Sequence, residues 1–242
     1  MSASGALVLE LDHGPANAIG PDLLEFVASG LERAESEGAP VVLTGSGRFF
    51  SAGLDLGGLP EDRGAMGDFV DRFESVLRHL FLFPAPTVAA VNGHAVAGGA
   101  LLAAACDFRI GAEGGYRVGV SEVSLGVTFP AIGFEILRAV IPRRRRPQVL
   151  LRGSLTGPAG AVENGFLHEL AAGDELLPRA CALATELGAL PRSAYAHTKR
   201  ELRAAPAARA AADREAKRRG FLDSWFSPEV ARRRAALLAA KR

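Results

Sequence analysis

The chain has 242 residues, of which 48% are apolar and 23% are charged, and its formal net charge is +1 at pH 7. This composition is typical of a globular protein and excludes a disordered chain. The nearly balanced charge gives no electrostatic reason to expect a nucleic acid or an anionic membrane as a partner.

Short β-type runs alternate with helical patterns over residues 1–190. The predicted strands are residues 6–11, 40–44, 87–91 and 108–110, and the predicted helices are residues 21–37, 68–82 and 98–105. Strands that are separated by helices pair in parallel through crossover connections, so the pattern predicts an α/β fold.

The last part of the chain differs in composition from the first. From about residue 193 onward nearly every residue favours a helix, with expected breaks at Pro206, Gly220 and Pro228. We therefore divide the chain into a core of residues 1–190 and a helical region of residues 191–242. This region is too small to fold well alone and is expected to pack on the core or on a neighbouring subunit.

Cysteine use and the absence of a targeting pattern indicate the compartment. Cys106 and Cys181 stand among apolar helical residues without metal-ligand spacing, which is typical of free thiols in a reducing compartment. The first residues lack the basic and then apolar pattern of an export signal. The longest apolar run, residues 95–106, is shorter than the roughly 20 residues that a membrane helix needs. We expect a cytoplasmic protein with no membrane segment.

Two glycine-containing loops are the candidates for ligand binding. Residues 44–55, TGSGRFFSAGLD, follow a predicted strand, but Phe50 stands where a dinucleotide fingerprint needs a third glycine, and no P-loop lysine follows. Residues 92–99, NGHAVAGG, lead into a helix whose first N–H groups can face developing negative charge. Leu101 and Leu102 open that helix where a carboxylate would have faced a ligand.

In this order and spacing, VVLTGSGRFFSAGLDL and AAVNGHAVAGG followed by ACDFRI resemble the crotonase (enoyl-CoA hydratase/isomerase) family. Supporting motifs are ANAI at 16–19, SEVSLGV at 121–127 and LRGSLTGPAGAVENGFLHEL at 151–170. The resemblance covers residues 6–172, and the helical tail fits the C-terminal portion of the family. It implies a crotonase fold of repeated ββα turns with a helical C-terminal trimerisation region.

The resemblance also implies an acyl-CoA substrate and an oxyanion hole. In the family, two backbone N–H groups bind the thioester carbonyl oxygen, and they fall here on Leu54 and Gly98. Removing a proton beside the thioester puts negative charge on that oxygen, and each preorganised donor there is worth roughly 3–4 kcal/mol. The loops implied to hold the adenine and pantetheine parts of CoA contain Pro15, Ala16, Asn17, Ser51, Ala52 and Asp55.

The acidic residues decide which reaction the resemblance implies. Family hydratases usually carry two glutamates; the first falls on Leu101 here and the second on Glu122. Two carboxylates help to add water across a double bond, whereas one suffices to move a proton from C2 to C4 of a 3-enoyl thioester. A pattern with an aliphatic residue in place of the first glutamate, here Leu101, resembles the mitochondrial-type Δ3,Δ2-enoyl-CoA isomerase branch. We therefore predict that Glu122 is base and acid, in an apolar pocket that raises its pKa toward neutrality.

Two alternatives remain open. The first is a hydratase in which Glu122 works alone or with another carboxylate, such as Glu135 on the predicted helix 132–140. The glycine-rich segment 57–71 is expected to form a mobile lid over the acyl chain and carries Glu61, Asp62 and Asp68, which could also supply that carboxylate. The second is a non-catalytic acyl-CoA-binding homologue.

Further expectations complete the prediction. The resemblance implies a homotrimer or a hexamer of two trimers, no metal, no redox cofactor, and CoA only as part of the substrate. Asp107 is expected to cap or pair locally at its helix end, and the run 143–146 of four arginines to lie in a solvated loop. His94 is expected to pack or to form hydrogen bonds rather than to catalyse.

Overall fold

The strands form two parallel sheets. The computed structural model describes residues 5–239. The strands in this range are β1 (Leu7–Leu11), β2 (Val41–Gly45), β3 (Phe49–Ser51), β4 (Thr87–Val91), β5 (His94–Val96), β6 (Phe108–Ala112), β7 (Val118–Gly119) and β8 (Glu169–Ala171). The larger sheet has the order β1-β2-β4-β6-β8 and the smaller one the order β3-β5-β7, with parallel pairing throughout. The predicted α/β class is confirmed.

Helices follow the strands and cover the sheets. They are α1 (Pro21–Glu37), α2 (Arg63–Leu82), α3 (Gly98–Ala105), α4 (Glu122–Leu125), α5 (Ala131–Val140), α6 (Pro158–Glu163), α7 (Leu176–Gly188), α8 (Arg192–Trp225) and α9 (Pro228–Ala239). Short 3-10 turns occupy Gly14–Ala16 and Arg143–Arg145, and a π-helical turn occupies Pro147–Leu151. Strands β2 and β4 are buried along their whole length because both faces of the larger sheet are covered.

A repeated ββα unit builds this architecture. The units β2-β3-α2, β4-β5-α3 and β6-β7-α4 each give one strand to the larger sheet, one to the smaller sheet and then a helix. Because the strands of the smaller sheet are parallel, their carboxyl ends lie at one edge. The loops after β3, β5 and β7 are therefore brought together, although they come from three separate parts of the chain.

The helical tail corrects two predicted breaks. Helix α8 continues without interruption through Pro206 and Gly220, and only the break before Pro228 is present. A proline removes one helical hydrogen bond, but α8 packs against α2 and α5 and buries Ala207 and Ala210 in the turn that follows the proline. These tertiary contacts hold the helix across the proline.

The predicted lid over residues 57–71 is wrong for residues 63–71. They form the first part of α2, whose N-terminus is capped by the Asp62 side chain accepting from the Ala65 N–H at 2.8 Å. Met66 and Phe69 are buried in the core. The acidic residues Glu61, Asp62 and Asp68 are exposed, and none of them lines the cavity described below.

Asp107 also differs from its predicted local pairing. Its carboxylate lies 2.8 Å from Lys199 Nζ, 2.8 Å from Arg203 Nη2 and 2.9 Å from Tyr195 OH, all on α8. It also accepts from the Thr87 N–H at the start of β4. This buried cluster attaches α8 to the core, a contact between residues about ninety positions apart that no local pattern indicates.

Candidate active site

A cavity of about 600 Å³ lies at the edge where β3, β5 and β7 end. Its lining is largely apolar and includes residues from all three loops and from helices α8 and α9. The lining residues on the strand side are Ala52, Leu54, Leu56, Val96, Ala97, Gly98, Ser121 and Glu122, and those on the side of the tail are Phe221, Trp225, Arg233, Ala236 and Leu237. This size is in the range of small-molecule sites.

The first loop presents the N–H of Leu54. Gly53 has φ +85°, and a Cβ on it would lie 2.8 Å from Val96 O and 3.1 Å from Gly98 N, so only glycine lets the loops after β3 and β5 touch. The neighbouring backbone groups are occupied, since Ile19 N donates to Gly53 O and Asp55 N donates to Ile19 O. Within the described residues, the Leu54 N–H has no acceptor.

The second loop presents the N–H of Gly98. Ala97 has φ +51°, a left-handed conformation unusual for alanine, and its N–H donates to Gly119 O at 2.9 Å. Gly98 is the first residue of α3, so its N–H has no acceptor within the helix. Among the described residues, the N–H groups of Leu54 and Gly98 thus have no acceptor and belong to residues that line one cavity, as the predicted oxyanion hole requires.

Glu122 follows β7 and faces the same cavity as the first residue of α4. The side chain is buried, and burial raises the pKa of its carboxyl to about 7, against a smaller lowering from the Glu122 and Ser121 backbone N–H groups. Its Oε2 atom has no hydrogen-bond partner among residues 5–239. The predicted apolar surroundings and raised pKa are confirmed, whereas the catalytic role stays a prediction.

The other carboxyl candidates do not reach the cavity. Glu135 is buried, but it pairs with Arg138 at 2.7 Å and with Arg209 at 2.7 Å, and it is not in the lining. In the part of the chain that the structure describes, Glu122 is the single carboxyl that lines the cavity. Leu101 lines it as well and is 1% exposed.

The residues predicted to bind CoA have different positions. Ala52 lines the cavity, and its N–H donates to Ala16 O, which joins the two predicted CoA loops. The buried Asn17 amide donates to Ser46 O and Phe49 O and so joins these loops.

The side chains of Ser51 and Asp55 form local hydrogen bonds. Ser51 Oγ accepts from Gly53 N, and an Asp55 carboxylate oxygen accepts from Gly57 N.

Within the described residues, the side chains of Asn17, Ser51 and Asp55 do not line the cavity. Pro15 belongs to the 3-10 turn Gly14–Ala16. The CoA-binding role of all six residues stays a prediction.

Sequence reasoning missed the part of the lining that comes from the tail. Arg233 is its one cationic member among the described residues, and its guanidinium donates to Ser124 O on α4 and to the Glu229 carboxylate at 2.8 Å. The clustered aromatic residues Phe221 and Trp225 in an otherwise polar helix were the available signal. The place where a long helix meets the core is set by tertiary packing, which no local motif reports.

Residues 5–239 contain neither a metal-binding cluster nor a membrane-spanning helix. Among residues 5–239, no group of three or more His, Cys, Asp or Glu side chains is arranged to hold a metal ion. In the same range, no helix is both long and apolar enough to cross a bilayer.

Comparison with known proteins identifies the family. Residues 2–234 match the enoyl-CoA hydratase/isomerase family. An enoyl-CoA isomerase/hydratase of Mycosarcoma maydis is 32% identical over 200 residues, which cover 76% of this chain and 72% of that protein. The structure of human mitochondrial delta3-delta2-enoyl-CoA isomerase superimposes with a TM-score of 0.91 at 27% identity, covering 98% of this chain and 94% of that one.

An enoyl-CoA hydratase from Mycobacterium marinum superimposes with a TM-score of 0.82 at 27% identity, covering 88% of this chain and 94% of that one. Isomerases and hydratases therefore both occur among the similar proteins, and the shared architecture confirms the predicted crotonase fold. The chain belongs to the enoyl-CoA hydratase/isomerase family.

Proposed function

We propose that this protein catalyses the isomerisation of 3-enoyl-CoA to trans-2-enoyl-CoA. The observation that carries the proposal is that Glu122 is the single carboxyl lining the cavity in the described range, with Leu101 where a second one would be needed. Isomerisation needs one group to take a proton and return it, whereas hydration is helped by two.

The proposed reaction begins with the thioester oxygen held by the N–H groups of Leu54 and Gly98. The Glu122 carboxylate takes a proton from C2, and the electrons delocalise as a dienolate with negative charge on that oxygen. The protonated Glu122 then returns the proton to C4, and the double bond moves from C3–C4 to C2–C3. No atom is gained or lost, and the oxyanion donors stabilise the intermediate where its charge develops.

The environment of Glu122 suits this double role. Burial raises its pKa to about 7, so ionised and protonated forms are both well populated near neutral pH. A carboxyl with an ordinary pKa would be a weaker base toward C2 and a less available acid toward C4. The free N–H groups and the unpartnered Oε2 atom also support catalysis over simple binding, because a binding protein gains nothing from a buried carboxyl without a partner.

Hydration is the second candidate, and one observation favours it. Ser121, Ser124 and Thr128 also line the cavity and bring hydroxyl groups to the wall that carries Glu122. Such hydroxyls could hold a water molecule for addition to C3, with Glu122 as the single base. This mechanism lacks the second carboxyl that would protonate C2, so we rank it below isomerisation.

The absorbance of the conjugated enoyl thioester tests the proposal. Purified protein is mixed with 3-hexenoyl-CoA and, separately, with trans-2-hexenoyl-CoA. We expect absorbance to rise with the first substrate and to stay constant with the second. A fall with the second substrate would establish hydration, and no change with either would contradict both reactions on this acyl chain.

The proposal extends to the assembly and the compartment. We propose a homotrimer or a hexamer of two trimers in the cytoplasm, with CoA present only as part of the substrate. Sedimentation equilibrium of the full chain measures the first point directly. A monomer at micromolar concentration would contradict it.

A further inference from the structure

The tail side of the cavity is an ordered aromatic wall. Phe221 and Trp225, one turn apart on α8, line the cavity with ring centroids 5.7 Å apart and ring planes inclined by 16°. Both side chains are buried. A stacked pair of this kind presents a flat, rigid apolar surface with little conformational freedom to lose on binding.

Helix α9 holds this wall from the outside. The Arg234 guanidinium lies 4.1 Å from the centre of the Trp225 ring, within the range of a cation–π contact. Neither Trp225 Nε1 nor Arg234 Nε has a hydrogen-bond partner among the described residues. The position of Trp225 therefore depends on its contacts with the Phe221 ring and the Arg234 guanidinium and not on a hydrogen bond.

A second contact joins the wall to the segment that follows Glu122. The Thr128 N–H donates to Ser224 Oγ at 3.2 Å, and Ser224 stands between Phe221 and Trp225 on α8. Thr128 itself lines the cavity next to this contact. The wall and the proposed acid–base group therefore line the same cavity, and the segment that carries Glu122 is joined to the wall at Thr128.

We propose that the Phe221–Trp225 wall, positioned by Arg234, binds the acyl chain beyond C4 and makes this protein selective for apolar acyl chains longer than four carbons. The reasoning rests on the proposed function, which places C2 to C4 between Glu122 and the two oxyanion donors. The remaining apolar lining is then available to the rest of the chain. Each methylene buried there improves affinity about fourfold.

Binding of saturated acyl-CoAs tests this inference without turnover. Calorimetric titration with butanoyl-, hexanoyl- and octanoyl-CoA is expected to show an affinity that rises about fourfold for each added methylene. Because these ligands do not react, the result is independent of whether the protein is an isomerase or a hydratase. Equal affinities for the three ligands would overturn the inference and leave the proposed function standing.

A variant with a matched control tests whether the acyl chain lies against the wall. Thr128→Phe fills the cavity beside the wall and is expected to weaken octanoyl-CoA about tenfold or more while changing butanoyl-CoA little. Val123→Phe is its control, because the Val123 side chain has the same branched shape as that of Thr128, is exposed and lies outside the cavity lining. If both variants weaken the three ligands equally, the wall does not contact the acyl chain.

Arg234→Met tests the positioning role. Loss of the cation over Trp225 is expected to lower the gain in acyl-CoA affinity per added methylene from about fourfold to about twofold. A merely structural defect would lower all three affinities together and leave this gain unchanged. Arg232→Met, on the neighbouring exposed position of α9, is the control and should keep the wild-type gain.

Discussion

Leu101 on α3 packs directly against Gly133 on α5. A Cβ on Gly133 would lie 3.0 Å from Leu101 Cδ1, so the glycine leaves room for the end of this side chain. Leu101 thereby fills the position where the family resemblance places the first glutamate of a hydratase. The apolar contact between α3 and α5 replaces what would have been a second carboxyl at the cavity.

This contact predicts a change of reaction in Leu101→Glu. Glutamate is one bond longer than leucine, and because Leu101 lines the cavity, the carboxyl of the variant can reach the space beside Glu122. Two carboxyls can then position water and supply a proton, so the absorbance of trans-2-hexenoyl-CoA should fall with the variant and stay constant with the wild type. Leu101→Gln has the same shape without the proton transfer and should remain inactive toward this substrate.

Removing the carboxyl of Glu122 should remove isomerisation. Glu122→Gln keeps the shape of the side chain but can neither accept nor return the proton, so turnover of 3-hexenoyl-CoA should fall by ~10²–10⁴-fold. Binding of hexanoyl-CoA should change little. Asp68→Asn is the control, since that carboxyl is exposed on α2 and lies outside the cavity lining. Full turnover in Glu122→Gln would rule out the assigned role.

The same variant should change how stability depends on pH. Burial raises the Glu122 pKa from 4.5 to about 7, so the folded state binds this proton more tightly than the unfolded state does. Below pH 4.5 the group is protonated in both states and imposes no cost. As the pH rises to 7 and beyond, its ionisation destabilises the folded state by up to about 3 kcal/mol.

Urea unfolding at pH 5 and pH 8 measures this cost. Glu122→Gln cannot ionise, so its free energy of unfolding relative to the wild type should increase between the two pH values. An unchanged difference would show that Glu122 has an ordinary pKa in the folded protein. In the wild type, the rate of isomerisation should fall below pH 7 as the base becomes protonated.

The site could be predicted from sequence where its parts are local. Leu54, Gly98 and Glu122 each follow a short strand, and glycines such as Gly53 mark the close approach of two loops. The parallel order of β3, β5 and β7 then brings the three loops to one edge. The family resemblance singled out these three residues, and the sheet topology explains why they lie at one cavity.

The parts that failed depend on long-range packing. Asp107 looked like a local cap, but it pairs with residues of α8. Pro206 looked like a break, but α8 continues through it and packs against α2 and α5. The segment 57–71 looked like a lid because it is glycine-rich and poorly periodic at first, although the predicted helix 68–82 covers its last residues. Met66 and Phe69 nevertheless bury in the core, and this burial outweighs the poor helix propensity.

The oxyanion loops predict a strong effect of Gly53→Ala. A Cβ at this position would lie 2.8 Å from Val96 O, at a φ of +85° that alanine rarely adopts. The loop must shift, and the Leu54 N–H leaves its position, so turnover should fall by ~10²–10³-fold. Gly57→Ala is the control, because its Cβ would meet Leu238 Cδ2 at an ordinary 3.7 Å. Unchanged turnover in a folded Gly53→Ala protein would exclude the Leu54 donor.

The cluster around Asp107 predicts the largest loss of stability. Asp107→Asn leaves Lys199 and Arg203 buried with no carboxylate partner, which should lower the free energy of unfolding by about 3–5 kcal/mol at pH 7. Burial already lowers the pKa of Lys199 to about 8 against the attraction of Asp107, and losing Asp107 should lower it further. The deficit relative to the wild type should therefore shrink at pH 9, because Lys199 is then largely neutral in the wild type as well and no longer gains from Asp107.

Chemical denaturation at pH 7 and pH 9 checks both parts of this prediction. Asp223→Asn is the control: it removes the exposed partner of Arg63, and a surface ion pair is worth less than about 1 kcal/mol. If Asp107→Asn were no less stable than this control, the buried cluster would not be what attaches α8 to the core. A deficit that stayed constant from pH 7 to pH 9 would instead assign the loss to Arg203, whose guanidinium keeps its charge over this range.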